Sequence, residues 1–350
     1  MTAERAEIIV LDPLMSEPEA AAILDLWRRF PGYGLYSNEG YPTTFAPELA
    51  QRYDAAVNFV RTGGRFGRKD ADRGLMAART NYFRETYAYG DEVLAPGIES
   101  FMTHENMLDA ARRLHGRDVI EPAIGYANIL LPGQELAVHT DVPEFRGANR
   151  KVTPEWLLVV MHHSGLFDRW RMPIATGISY FGAGRGGALA YYPDGAAGPA
   201  ATYLPRHNTA AMLDTDSTFH GVDRVEGDDT PLRLLRPGMT LHHAADERWE
   251  LRDANRAGHT VIATYATDDL RYSVSWKAYC FKDEAERAAW AEHSDDLDLQ
   301  FILDRLVAGL CDRGRLDGPD HGLSDADLGR LLINEYVRFP ASTAASASAN

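Results

Sequence analysis

The order of apolar and polar positions divides the chain into a helical start, a strand-rich middle and a helical end. The apolar run from Ile8 to Leu11 predicts a short buried strand. Ser16, followed by Pro18 and Glu19, predicts a helix start, because serine caps, proline fits the first turn and the glutamate completes a capping box. Three further elements are predicted in this part: helices over about 48–61 and 98–115, and a Gly-rich loop over 63–74.

The middle of the chain consists of short β-rich runs separated by Gly, Pro and Asp. Short strands with turn signals and no intervening helices favour an antiparallel barrel or sandwich. The predicted strands cover 124–131, 175–181, 187–192, 209–213, 259–266 and 272–281.

The pattern becomes helical again after residue 282. Ser324 followed by Asp327 resembles a capping box and opens a helix from Leu328 to Tyr336. We therefore expect one α+β domain over 1–340. Its parts are a mainly helical segment (1–118), a β core (119–282) and C-terminal helices (283–340), with a disordered small-residue tail at 341–350.

Composition and charge exclude several classes of protein. Among 350 residues, 45% are hydrophobic and 25% charged, which is ordinary for a globular protein. Lys plus Arg is 36 and Asp plus Glu is 51, and a net charge of −15 disfavours a broad nucleic-acid surface. No run approaches the roughly 20 apolar residues of a membrane span, and no secretory signal is evident. Cys280 and Cys311 are too few for a disulfide framework, so we expect reduced thiols and a cytoplasmic protein.

The segment that carries candidate chemistry is His139-Thr140-Asp141. On a strand, residues two apart point to the same face, so an imidazole and a carboxylate can occupy adjacent sites on a metal ion. One further imidazole completes a 2-His-1-carboxylate triad, which leaves positions open on Fe(II). A second His-x-Asp, at His293 and Asp295, lies in a charged helical stretch and is assigned to a solvated helix surface.

The third ligand is expected at His220, which follows an apolar strand and a turn and opens the next short strand. The other histidines are interpreted as structural or surface residues. Among them, His162, His163, His242 and His243 are placed in the fold or near the pocket rim.

With these residues the chain resembles the Fe(II)/2-oxoglutarate-dependent dioxygenases, in the prolyl-hydroxylase-like arrangement. The resemblance covers roughly residues 120–282 and rests on four pieces in the family's order. They are Tyr126 to Asp141, the Gly-Gly-x-Leu strand at Gly186 to Pro193, the distal histidine turn at His220 to Val225, and the Arg-x-Ser strand at Arg271 to Ser273.

The resemblance implies a fold, a set of cofactors and a reaction. The fold is a double-stranded β-helix, the jelly-roll or cupin-like core, flanked by helices. His139, Asp141 and His220 would bind Fe(II), while Arg271 would bind 2-oxoglutarate, assisted by Ser273. O₂ is the third reactant, and succinate and CO₂ accompany the oxidation of a C–H bond. Asp141 favours hydroxylation, desaturation or cyclisation, because related halogenases have a small residue there.

The carboxylate anchor has two candidates and two assistants. Arg can hold a carboxylate with a bidentate, charge-assisted contact. In the family the anchoring Arg follows the distal histidine closely, whereas Arg271 lies 51 residues after His220. Arg233 fits the usual spacing better but lacks the Arg-x-Ser pattern, so it ranks second. Tyr126 or Asn128 is expected to add a further donor.

The substrate is expected from the two long segments 142–174 and 226–268, since loops on a rigid barrel usually carry specificity. We expect a small molecule, such as an amino acid or a natural-product intermediate, and the oligomeric state stays open, a homodimer included. The alternatives are a hydroxylase of protein side chains, a cupin-like metalloenzyme without 2-oxoglutarate, and a β-sandwich binding module. Candidate substrate contacts, each of which can instead be a packing or surface residue, are Arg146, Arg150, Trp156, Arg169, Trp170 and Arg171, with Glu144 and Asp168 for an amine.

Overall fold

The structure is a computed structural model, and it describes residues 6–36, 73–256, 258–337 and 340. The helix expected over 48–61 and the tail at 341–350 lie outside these residues. The loop expected over 63–74 also lies outside them, except for its last two residues, which already belong to a helix.

Helices lie at both ends of the described chain and between the strands. The residue before the first helix is Ser16, whose backbone N–H donates to the Glu19 carboxylate at 3.0 Å, as the capping pattern predicts. The helix expected over 98–115 is divided in two at Thr103 and His104. The helices are α1 Glu17–Arg29, α2 Arg73–Thr80, α3 Glu99–Met102, α4 Glu105–His115, α5 Glu155–Ser164, α6 Glu284–Ala291, α7 Leu299–Asp312 and α8 Asp325–Tyr336.

The strands confirm every run expected from the sequence to within a few residues. They are β1 Ile8–Leu11, β2 Tyr33–Leu35, β3 Phe83–Tyr89, β4 Glu92–Val93, β5 Val119–Leu130, β6 Leu136–His139, β7 Glu144–Phe145, β8 Arg171–Met172, β9 Ile174–Phe181, β10 Leu189–Tyr191, β11 Ala201–Tyr203, β12 Thr209–Leu213, β13 His220–Val222, β14 Thr240–His243, β15 Arg248–Asn255, β16 Gly258–Ala266 and β17 Arg271–Phe281.

These strands form antiparallel sheets. The largest has 11 strands, in the order β1-β12-β9-β17-β5-β3-β2-β14-β15-β16, with β4 beside β3. A 4-stranded sheet has the order β11-β10-β13-β6, and β7 pairs with β8. The architecture is therefore α+β, with helices and antiparallel sheets combined.

Two segments contain more strands than the sequence indicated. Among the residues described before 119, helices make up most of the regular structure, but β1, β2 and β3 also join the large sheet and β3 pairs directly with β5. In the segment 226–268, β14 and β15 join the expected strand β16 and extend that sheet from β2. The apolar runs of the sequence predicted β1 and β16 but not β2, β3, β14 and β15.

The large sheet has one apolar face and one polar face at its centre, because side chains alternate along β17. On the apolar face, Tyr272 stacks on Trp27 of α1 with ring centroids 4.2 Å apart. On the same face, the Trp276 indole donates to the Met102 carbonyl at 2.9 Å. The other face of β17 has polar residues at alternate positions, all buried: Arg271, Ser273, Ser275 and Lys277.

A second apolar cluster joins the segment 142–174, which contains α5, to α7 and α8. Leu158, Leu306 and Leu332, one from each helix, are fully buried in it. Trp156 and Trp170 are partly buried and pack against this cluster. Within the described residues no helix is long and apolar enough to cross a membrane, and Cys280 and Cys311 are free thiols.

Candidate metal centre and anion site

His139, Asp141 and His220 meet in the structure. One ligand atom from each lies within 4.8 Å of the other two, and this is the one group of three or more such residues found in the described part of the chain. The residues are 2%, 7% and 5% exposed. A buried cluster of two imidazoles and a carboxylate is a donor set suited to a divalent transition metal.

Two neighbouring strands place the histidines. β6 ends at His139 and β13 begins at His220, and these two residues pair across the strands with ring centroids 4.5 Å apart. Asp141 lies beyond the end of β6, so strand alternation does not position it as the sequence suggested. Its backbone N–H instead donates to the Thr215 carbonyl at 2.8 Å.

Backbone carbonyls fix which imidazole nitrogen is available. His139 Nδ1 lies 2.6 Å from the Ala137 carbonyl, and His220 Nδ1 lies 3.0 Å from the Thr218 carbonyl. A carbonyl only accepts, so each Nδ1 carries the proton, and in the neutral ring Nε2 is the nitrogen with the lone pair that a metal would bind. Metal-binding histidines ordinarily have this arrangement. The residues therefore fit a metal bound by two Nε2 atoms and one carboxylate oxygen.

Lys277, which no sequence motif singled out, contacts this cluster. Its Nζ donates to Asp141 Oδ2 at 2.6 Å, with the side chains 9% and 10% exposed. Burial acts to lower the pKa of Lys277, but the Asp141 carboxylate raises it above its ordinary value. The available signal was the strand period, which places Lys277 on the same face as Arg271 and Ser273.

Arg271 forms a separate cationic site on the same strand. It is 4% exposed, its Nε donates to the Gly187 carbonyl at 2.7 Å, and Nη1 donates to Ser273 Oγ at 3.3 Å. Nη2 is buried and has no hydrogen-bond partner. Burial lowers the pKa of Arg271 below its ordinary value, partly opposed by Tyr180. Arg233 is exposed, in a short 3₁₀ turn over Thr230–Leu234, so the structure favours Arg271 as the anion site.

Asn128 and Tyr126 lie on β5 beside this face. Asn128 pairs in register with Ser273, its Nδ2 donates to Ser275 Oγ at 3.0 Å, and its Oδ1 is buried without a partner. The Tyr126 ring lies under the guanidinium of Arg84, 3.7 Å from Cζ to the ring centroid. Arg84 is thus a third cation near the polar face, beside Arg271 and Lys277, and no motif in the sequence identified it.

Half of the charged residues expected near the substrate are already paired within the protein. Arg146 makes a bidentate pair with Asp295 at 2.6 and 3.0 Å. Both guanidinium bonds of Arg171 to Asp214 come from Nη2, at 2.8 and 2.7 Å. Glu144 accepts from Tyr279 at 2.7 Å. The remaining candidates, Arg150, Arg169 and Asp168, are exposed.

The other histidines stay outside the metal cluster. His293 is exposed, and it lies with Asp295 in the turn after α6 rather than in a helix, a correction to the expected placement. His242 contacts the Pro31 carbonyl at 2.7 Å, and His243 lies beside Trp249, both at β14. His163 Nε2 lies 3.4 Å from Oγ1 of Thr140, the residue between His139 and Asp141 in sequence. Burial lowers the pKa of His162 to about 3.

Asp216 is a further buried carboxylate on the segment between β12 and β13. It is fully buried, and neither carboxylate oxygen has a hydrogen-bond partner. Burial raises its pKa to about 7, with the Lys277 ammonium opposing and Asp214 adding to the shift. This residue was not identified from the sequence, because no pattern distinguishes it from the adjacent Asp214.

Comparisons with known proteins give a distant structural likeness. No family model and no curated protein matches the chain. An oxidoreductase of the 2OG-Fe(II) oxygenase family from Burkholderia pseudomallei matches with 10% identity over 79% of this chain and 86% of that chain, at a TM-score of 0.41. HygX from Streptomyces hygroscopicus, with nickel, 2-oxoglutarate and hygromycin B bound, matches with 10% identity over 79% of this chain and 84% of that chain, at a TM-score of 0.39. A Pseudomonas putida prolyl-4-hydroxylase matches with 10% identity over 79% of this chain and 93% of that chain, at a TM-score of 0.36. TM-scores this low carry no weight for function, so the interpretation rests on the residues of the site.

Proposed function

We propose that the protein is an Fe(II)- and 2-oxoglutarate-dependent oxygenase. The observation that carries the proposal is one buried group of residues. His139, Asp141 and His220 form a cluster, and Lys277 of β17 contacts Asp141. On the same strand, Nη2 of Arg271 is buried without a hydrogen-bond partner. An iron site alone would need no buried arginine. A buried cation with an open donor does need an anion.

Different residues would bind the metal and the cosubstrate. His139, Asp141 and His220 would hold Fe(II) through three donors and leave three positions open for cosubstrate and O₂. Arg271 and Ser273 would hold the far carboxylate of 2-oxoglutarate through charge-assisted hydrogen bonds. Asn128 Oδ1 accepts only, so Asn128 would act through its bond to Ser275 rather than as the expected donor. When bound, iron and 2-oxoglutarate supply the oxidative decarboxylation to succinate and CO₂ that accompanies oxidation of a C–H bond.

The fold we propose around this site is the double-stranded β-helix. In support, His139 and His220 lie on β6 and β13 of the small sheet, and the anion site lies on β17 of the large one. Groups held on strands are positioned more precisely than groups on loops, which suits a reaction that must exclude water from its oxidant.

The substrate we propose is a small molecule, with a protein side chain as the alternative. In support, Arg146, Arg171 and Glu144 are held by internal pairs rather than presented to an extended groove. The reaction we propose is hydroxylation of a C–H bond, with desaturation or cyclisation as alternatives, because Asp141 would supply the third ligand at the position where related halogenases have a small residue.

Succinate formation from 2-oxoglutarate tests this function without knowledge of the substrate, since such enzymes turn over slowly when uncoupled. Protein loaded anaerobically with Fe(II) is exposed to O₂, and wild type is compared with His139→Ala, Asp141→Ala and His220→Ala. His293→Ala is the matched control, because it removes the histidine of the other His-x-Asp sequence. We expect turnover in wild type and His293→Ala and a loss of at least 100-fold in the three variants.

Binding of 2-oxoglutarate to the Fe(II) protein is measured alongside turnover. Iron bound without any 2-oxoglutarate binding would overturn the proposal and favour a cupin-like metalloenzyme. Turnover that survives in all three variants would show that the cluster is not the reacting centre.

A further inference from the structure

We infer that Lys277 is a positioning residue of the metal centre. It holds the outer oxygen of Asp141 so that the inner oxygen faces the two histidines. The inference rests on the proposed function, because it takes the three clustered side chains to be metal ligands.

The two oxygens of Asp141 have different neighbours. Oδ2 accepts from Lys277 Nζ at 2.6 Å, whereas Oδ1 lies 3.6 Å from His139 Nε2. A carboxylate held at one oxygen by an ammonium group presents its other oxygen alone. A single-oxygen ligand leaves one more position on the metal than a bidentate one, and cosubstrate and O₂ together need three. The lysine therefore determines how many positions stay open.

The backbone of the lysine is paired on both sides, whereas that of the aspartate is not in a strand. Lys277 lies in β17, which pairs with β5 on one side and with β9 on the other, opposite Ile124 and Thr176. Asp141 lies beyond the end of a short strand, where its backbone N–H is held by Thr215. The long central strand thus sets the orientation of the carboxylate, as outer partners of metal ligands commonly do.

Lys277 is distinct from the anion site on its own strand. Arg271 lies six residues away, roughly 20 Å along an extended strand. Its Nη2 has no partner, whereas the ammonium of Lys277 is already bonded to Asp141. One cation of β17 therefore serves the metal ligand, and the other is left open for an added anion.

Binding of Co²⁺ to the metal-free protein tests the inference without any turnover. We expect Lys277→Met to weaken Co²⁺ affinity about 10- to 100-fold, the range found when an outer partner of a metal ligand is removed. Lys277→Arg keeps a cationic donor and should recover most of this loss. Tyr279→Phe is the matched control. Tyr279 lies on the same strand and face as Lys277, and Tyr279→Phe removes a hydrogen bond to the carboxylate of Glu144. This variant should bind Co²⁺ with an affinity within twofold of that of wild type.

A double-mutant cycle separates positioning from a merely structural ion pair. If Lys277 acts through Asp141, Lys277→Met should change Co²⁺ affinity less than twofold in an Asp141→Asn background. Equal losses in both backgrounds, or none in the wild-type background, would overturn the inference. Should Lys277→Met fail to fold, Lys277→Gln takes its place in the cycle. Wild type that binds no Co²⁺ would instead count against the proposed function itself.

Discussion

Arg271 and Ser273 lie on one face of β17, with Nη1 of the guanidinium 3.3 Å from the serine hydroxyl oxygen. Beside this contact Nη2 is buried without a partner. Leaving a charged donor unpaired in the interior is costly, and native proteins rarely do so without a functional reason. The pair therefore has the geometry of a carboxylate site.

Replacing Arg271 should abolish cosubstrate binding and leave metal binding intact. Each hydrogen bond to a charged group contributes about 1.5–3 kcal/mol, so the loss of the guanidinium in Arg271→Met should weaken 2-oxoglutarate binding by at least about 100-fold. Titration of 2-oxoglutarate into the metal-loaded protein measures this. Arg233→Met tests the second-ranked candidate in parallel, and a larger loss there than in Arg271→Met would reverse the assignment.

Gly187 offers an independent route to the same site. Its φ is +62°, its carbonyl accepts from Arg271, and an added Cβ would lie 2.3 Å from Arg271 Cδ. Gly187→Ala should therefore displace the arginine side chain and weaken 2-oxoglutarate binding about 10-fold or more. It should also lose about 1–3 kcal/mol of stability, because alanine is strained at this φ.

Gly195 provides the control for backbone strain alone. Its φ is +76°, and nothing lies within 4 Å of an added Cβ. Gly195→Ala should show the loss of stability in a denaturant melt without weakening 2-oxoglutarate binding. Equal effects of the two substitutions on binding would remove the steric explanation.

The sequence predicted the strands and the metal cluster because both have local signals. Short β-rich runs between turn residues identified β9, β12 and β17, and the Thr-Phe-His220 turn was evident beside an apolar strand. The strand-end position of Asp141 was not predicted, since its place depends on a bond to Thr215, far along the chain. Lys277 and Asp216 were missed for a related reason. A buried charge is recognised from its partner, and the partner is known only once strands distant in sequence are paired.

The structure of the segments 142–174 and 226–268 was also not predictable from the sequence. Their length suggested loops over a pocket, but 226–268 supplies β14 and β15 in addition to the expected β16, and Arg146 is bound to Asp295, 149 residues away. Length and charge do not indicate which surface a segment covers. That depends on where its apolar residues find a partner.

Asp216 should make the stability of the metal-free protein fall as the pH rises. Burial raises its pKa to about 7, above the value of about 4 in an unfolded chain. The folded state thus retains the proton longer, so the contribution is fully present below pH 4 and is lost as the pH rises through 7. Between pH 4 and 7, the free energy of unfolding of Asp216→Asn should therefore rise relative to that of wild type, by up to about 1.4 kcal/mol per pH unit. Urea melts across this range measure the difference. Asp168→Asn, at an exposed carboxylate, is the control, and parallel profiles for wild type and Asp216→Asn would contradict the prediction.

Arg146 should matter for stability rather than for substrate. The guanidinium is buried, its two bonds to Asp295 are 2.6 and 3.0 Å long, and it also donates to the Arg169 carbonyl. Because Asp295 is 34% exposed on its side chain, water can compensate part of the loss. We therefore expect Arg146→Met to cost about 1–3 kcal/mol, the range for bonds to a charged group. Arg150→Met, at an exposed neighbour, should change stability by less than about 0.5 kcal/mol. A full cycle with Asp295→Asn, measured by denaturant melts, should give a coupling of at least about 1 kcal/mol. A coupling near zero would show that the two residues contribute independently and that Arg146 is free to serve another role.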